Sequence, residues 1–256
     1  MYSQLFLISL NEKGSFFKPL MFEFPEEQSS YEDIESKIML GEALLICAFN
    51  QVNEEDKEFT LPDVGFNRYP CGKSIINKNE TKNKIVLSGK LDKVHIFVRE
   101  GFIIPKQNTF NKYILNTNKL REEKLDLIIN VDKNKQSQGV IFFDNDDINT
   151  INDKKFYRVD LNFTNNILDI FQEKNELKEY NYKDHILGKI ELWNADNVFK
   201  DINKDKIYSL EIELNKDKKV IKGNYDSENN KLLFDINEKE NDISLFDINK
   251  ILFNFK

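Results

Sequence analysis

In 256 residues, 37 lysines and arginines stand against 44 aspartates and glutamates, for a formal net charge of -7. Both signs are interspersed, which argues against nucleic acid or an anionic membrane as the main partner and leaves a neutral ligand such as a sugar open. The two cysteines, Cys47 and Cys71, allow one disulfide at most, so this is no disulfide scaffold and two partly buried thiols are expected.

The first ten residues lack a basic leader and a small-residue cleavage site, so no targeting signal is expected and the compartment stays unassigned. No apolar run approaches the roughly 20 residues that span a bilayer. Leu5, Ile8 and Leu10, with Gly14 beyond, read as the end of a helix. Phe16 to Phe49 then holds two short apolar runs around an acidic, turn-rich connection, each suited to a strand buried on both faces. Only 15 residues precede the first run, too few to supply the neighbours such a strand needs. Phe59 to Leu61 is a short strand closed by Pro62, and Asn67 to Asn83 is polar and irregular, a surface loop. Lys84 to Ser88 and Val94 to Arg99 are strands, and Phe102 to Ile104 is a third that stops at Pro105.

Beyond the sparsely patterned interval Gln107 to Leu120, which serves as a domain boundary, period-two alternation dominates. Leu125–Asp132, Gly139–Asp144, Phe156–Phe163, Asn166–Phe171, Ile186–Trp193, Ile207–Leu214, Lys219–Gly223, Lys231–Ile236 and Ile243–Asn249 each read as a strand between Asn, Asp or Gly turns. That spacing predicts antiparallel sandwiches. No α/β alternation and no 20 to 50 residue repeat competes with it.

The phrases FKPLMFEFP (17–25), SKIMLGEALLICAF (36–49), LDKVHIFVREGFIIPKQ (91–107), GVIFFDNDD (139–147) and LGKIELWN (187–194) occur in that order. Together they resemble the C-terminal part of glycoside hydrolase family 31, on the branch of lysosomal acid α-glucosidase, maltase-glucoamylase and sucrase-isomaltase. The resemblance implies a proximal and a distal β-sandwich following a (β/α)8 catalytic barrel. FKPLMFEFP would then be the closing barrel strand, and residues 1–13 the tail of the helix before it. The expected organisation is a barrel remnant at 1–40, a proximal sandwich at 41–118 and a distal sandwich at 119–256.

Retaining glycosidases place two carboxyl groups about 5 Å apart at barrel strand ends. In the resembled family both are aspartates, in Trp-x-Asp-Met-Asn and Gly-Asp-Asn type motifs, and neither motif occurs here. The expectation is therefore a chain with no catalytic residue, no cofactor-binding residue and no metal ligand of its own. It would be the accessory region of an α-glucosidase that releases terminal α-linked glucose. Its partners would be the catalytic barrel and an α-glucan or oligosaccharide, in a family typically lysosomal, secreted or secretory. A stand-alone sandwich module binding carbohydrate or protein is the alternative. Lys18 stands where the family usually has Arg, which would weaken a bidentate pairing. Glu100 stands where a second Gly is usual, Asp147 replaces a turn Gly, and Arg68 and Tyr69 fall near a Trp-Tyr-Asp segment without its Trp.

Several residues carry a chemistry to be weighed. Asp144, Asp146, Asp147 and Asn149 crowd oxygen ligands into one turn, but no EF-hand Gly or terminal bidentate Glu follows, so a hairpin turn is preferred over a calcium loop. His95 and His185 have no second ligand close in sequence and read as structural. Trp193, Tyr180, Tyr182 and Phe199 cluster around one strand as a candidate sugar platform, although strand aromatics more often pack. Asn79 and Asn162 are glycosylation acceptors by pattern, with Asn79 favoured by its loop position.

Overall fold

The computed structural model describes residues 15–49, 56–75, 83–89, 94–107, 109, 112–144, 156–173, 185–215, 217–236 and 242–255. The fold is all-β, interrupted by short helices at Leu20–Glu23, Thr117–Arg121 and Ala195–Val198. It forms two compact units, one ending at Glu100 and the other beginning at Gly101.

In the first unit, β1 (Phe17–Pro19), β2 (Lys37–Leu40), β3 (Leu44–Cys47), β7 (His95–Arg99) and β5 (Phe66–Arg68) form one antiparallel sheet in that spatial order. A second sheet pairs β4 (Lys57–Leu61) with β6 (Asn83–Leu87). Alternate side chains of each strand turn inward, as the pleat requires. Met39, Leu45, Cys47, Phe66 and Phe97 from the larger sheet thus share one core with Phe59, Leu61 and Leu87 from the smaller. This two-layer packing is the expected sandwich.

The second unit is one continuous sheet. β10 (Gln136–Asp144), β11 (Phe156–Thr164), β12 (Ile167–Glu173), β17 (Ile248–Phe255), β14 (Tyr208–Leu214), β15 (Lys218–Asp226), β16 (Lys231–Asp235), β13 (Leu187–Trp193), β9 (Leu125–Asn130) and β8 (Phe102–Gln107) close into a barrel in that order. All neighbours are antiparallel except β9 with β13 and β8 with β10, and the latter contact is a single pair, Gln138 with Phe102. Closure pairs strand edges that a sandwich would leave free. Inward alternation fills the interior: Tyr208, Leu210 and Ile212 of β14 are buried, while Ser209, Glu211 and Glu213 between them are less so. Phe253 meets Phe163 and Phe234 edge to face at 5.4 and 5.6 Å between ring centres.

Most expected strands are present, with instructive departures. The run at 16–24 is not one buried strand: β1 ends at Pro19 and a helical turn follows, leaving Phe17 57% and Phe22 70% exposed. Pro19 cannot donate to a ladder, and its fixed φ suits a helix start. The run at 36–49 is a hairpin, folded at Gly41, whose φ of 65° is open to glycine. Within the expected surface loop 67–83, Asn67 is fully buried in β5 and its Nδ2 donates to the Gly72 carbonyl at 2.7 Å. β8 runs through Pro105 because that residue pairs on one side only, with Leu127. The last strand begins at Ile248, since Ser244 caps a 3-10 turn over Leu245–Asp247. The expected helix end at 2–11 lies outside the described residues.

Candidate functional site

The stretch from β1 to β3 concentrates charge in little space. The Leu20–Glu23 turn carries Glu23 back beside β1, and β7 brings Arg99 to the same point. Lys18 Nζ donates to Glu23 Oε2 at 2.5 Å and Arg99 Nη1 to Oε1 at 2.7 Å, with the Arg99 guanidinium 4.7 Å from the centre of the Phe24 ring. Lysine at 18 thus fills one carboxylate oxygen, and Arg99 supplies the second contact. Burial pushes the Glu23 carboxyl up, but the hydrogen bonds from Lys18 and Arg99 prevail and hold it below the usual range. A carboxylate with a cation on each oxygen is held as the anion, which makes Glu23 a tie between β1 and β7.

Lys37 makes a second polar tie. Its side chain is 1% exposed, on the inward face of β2 beside Met39, and Nζ donates to the carbonyls of Ser29 at 2.8 Å and Thr60 at 3.1 Å. It therefore joins the two sheets through backbone acceptors. Burial lowers its affinity for the proton, partly offset by Asp33 and Cys47. Burial likewise pushes the Cys47 thiol up to about 12, so it stays protonated and unreactive near neutrality. Cys47 and Cys71 are both free, the first buried and the second half-buried.

The other sequence candidates scatter. His95 Nε2 lies 3.0 Å from the Ser88 carbonyl, and His185 stacks on Phe143 at 3.9 Å. Arg68 lies 5.7 Å from the centre of Phe97, and Tyr69 N–H donates to Ile96 O. Glu100 keeps ordinary backbone geometry, because the left-handed position of that turn falls on Gly101, at φ 84°. Trp193 is fully buried, with its Nε1 donating to Glu191 Oε2 at 2.9 Å, so it offers no ring to a sugar. Asn162 is exposed on β11. Asn79, Asp146, Asp147, Asn149, Tyr180, Tyr182 and the Asp144 side chain lie outside the described residues. Among the described residues, no three His, Cys, Asp or Glu side chains gather as a metal set.

Phe199 lines a pocket. At one end of the barrel, Lys135, Asn165, Asn166, Val198, Phe199, Phe253 and Asn254 surround about 240 Å³. Two turns build the rim: Lys135 and Asn165 sit at φ 62° and 60°, and Asn165 N–H donates to Lys135 O at 2.8 Å. Asn166 Nδ2 donates to Phe253 O at 3.0 Å, while Phe253 N–H returns a 2.8 Å bond to Asn166 O. The sequence reading placed Asn166 at the head of a strand and singled out neither Asn165 nor Asn254. The signal it passed over is a pair of polar turns at one end of neighbouring hairpins.

Residues 13–104 match the glycosyl hydrolase family 31 C-terminal domain. The chain is 25% identical over 193 residues to the human probable maltase-glucoamylase 2, covering 72% of this chain and 7% of that protein. It is 28% identical over 140 residues to bovine lysosomal alpha-glucosidase, covering 50% of this chain and 14% of the relative. The chain thus spans a small part of the curated relatives it matches. Among solved structures, a DNJ-bound glucosidase II alpha subunit superposes with a TM-score of 0.80 at 13% identity, over 99% of this chain and 27% of that one. At that identity the likeness carries the fold alone.

Proposed function

We propose that the chain, whose residues 13–104 match the glycosyl hydrolase family 31 C-terminal domain, is the accessory β-region of an α-glucosidase whose catalytic aspartates lie outside these 256 residues. In this reading the enzyme releases terminal α-linked glucose from oligosaccharides, and its catalytic barrel lies outside this chain. The unit ending at Glu100 braces that barrel, and the unit beginning at Gly101 forms the distal domain. The observation that carries the reading is the exposure of large apolar side chains within the family-matched stretch. Phe17, Phe22, Tyr31 and Ile34 are 57%, 70%, 47% and 43% exposed, although the chain buries a full core a few residues away. Apolar side chains so concentrated in one segment mark a surface made for a protein partner.

The test is association with a family 31 catalytic barrel produced without its own C-terminal β-region. Mixing the two is expected to give a complex on size-exclusion chromatography, and Phe22→Glu is expected to weaken it at least tenfold while leaving the chain folded. A chain that stays monomeric beside the barrel would refute the bracing role.

A further inference from the structure

We propose that the pocket at the barrel end is a binding site for one neutral pyranose ring, as in a glucoside or the terminal unit of an α-glucan; this rests on the carbohydrate-handling reading above. The lining decides the chemistry. Asn165, Asn166 and Asn254, three residues whose side chains are carboxamides, line the opening together with Lys135. A carboxamide both donates and accepts, as does a sugar hydroxyl, so amides suit a polyhydroxyl ligand better than either ion. No carboxylate lines the pocket to hold a cation, and one lysine among three amides is a meagre anion site. Phe199, only 4% exposed, and Val198 add too little apolar surface for an apolar ligand.

Size and rigidity point the same way. About 240 Å³ falls below the roughly 300–1,000 Å³ of drug-sized sites, which restricts the occupant to a single ring. The rim is fixed before any ligand arrives. Asn165 is tied to Lys135 through the backbone, and Asn166 is tied to Phe253 both through its side chain and through the main chain. Because Asn166 Nδ2 is spent on the Phe253 carbonyl, its Oδ1 is the atom it offers a hydroxyl. Little ordering cost remains to be met on binding.

The experiment is a titration of the whole 15N-labelled chain with methyl α-glucoside, then maltose, then inorganic phosphate. The expected result is saturable movement of the side-chain amide signals of Asn165, Asn166 and Asn254 with either sugar. Asn254→Ala is expected to weaken it about tenfold or more, with the remaining spectrum unchanged. Lys135→Ala provides a second variant should the first disturb β17. Sugar-induced shifts confined to other residues would overturn the pocket and leave the carbohydrate reading standing. No sugar-induced shift anywhere would remove the pocket assignment, while the association test above would still judge the accessory role. Phosphate moving these amides at lower concentration than either sugar would make this an anion pocket around Lys135.

Discussion

Trp193→Ala is expected to destabilise the second unit by about 3–5 kcal/mol, the range for deleting a large buried aromatic. Trp193 is fully buried and lies across from Asn130 on β9 and Lys231 on β16, where the parallel and antiparallel ladders of β13 meet. Its indole also holds Glu191, whose carboxylate takes Lys231 Nζ at 3.3 Å and Lys106 Nζ at 3.5 Å. Removal therefore opens a cavity and loosens a charge cluster spanning β8, β13 and β16. Trp193→Phe keeps most of the volume and removes one hydrogen bond to a charged group, so about 1.5–3 kcal/mol is expected. Urea unfolding followed by circular dichroism measures both, since the single tryptophan cannot report on its own loss. A Trp193→Ala chain as stable as the parent would contradict this packing and reopen Trp193 as an exposed platform.

Gly139→Ala is expected to cost the same unit about 1–3 kcal/mol, the price of overpacking at a rigid contact. Gly139 follows Gln138, whose pairing with Phe102 is the single step that closes the barrel. A Cβ at position 139 would stand 2.6 Å from the Ile103 carbonyl oxygen and 2.8 Å from its Cβ, and neither can swing away. The two strands must part or the closing pair must break, and valine should be worse than alanine. Gly65 supplies the control. The three atoms nearest a Cβ there are the carboxyl end of Glu100, which can rotate aside, so Gly65→Ala should cost the first unit far less. Equal midpoints for Gly139→Ala and the parent in chemical unfolding would show that β8 and β10 are not held this closely.

The strands of the second unit were legible in the sequence because each buries one face, so alternation is written into residues such as Tyr208, Leu210 and Ile212. Closure of the barrel was not. It rests on two parallel contacts, Gln138 with Phe102 and β9 with β13, and a long-range pairing leaves no local pattern. The first unit was harder because its strands are short. In FKPLMFEFP the apolar density outweighed Pro19, although the proline ended the strand. Lys37 drew no separate reading within SKIMLGEALLICAF, yet its β2 position gives it the same inward face as Met39. For the pocket, Phe199 was named among the aromatics, but Asn165, Asn166 and Asn254 could not be placed beside it without knowing that β11, β12 and β17 are neighbours.

The proposal's central claim is that the catalytic aspartates lie outside these 256 residues, and within the family-matched stretch the Glu23 carboxylate is tied to Lys18 and Arg99. The most direct measurement is turnover of maltose and of a nitrophenyl α-glucoside by the purified chain. The expected result is hydrolysis no faster than buffer alone. Saturable release of glucose, abolished by Glu23→Gln, would contradict it.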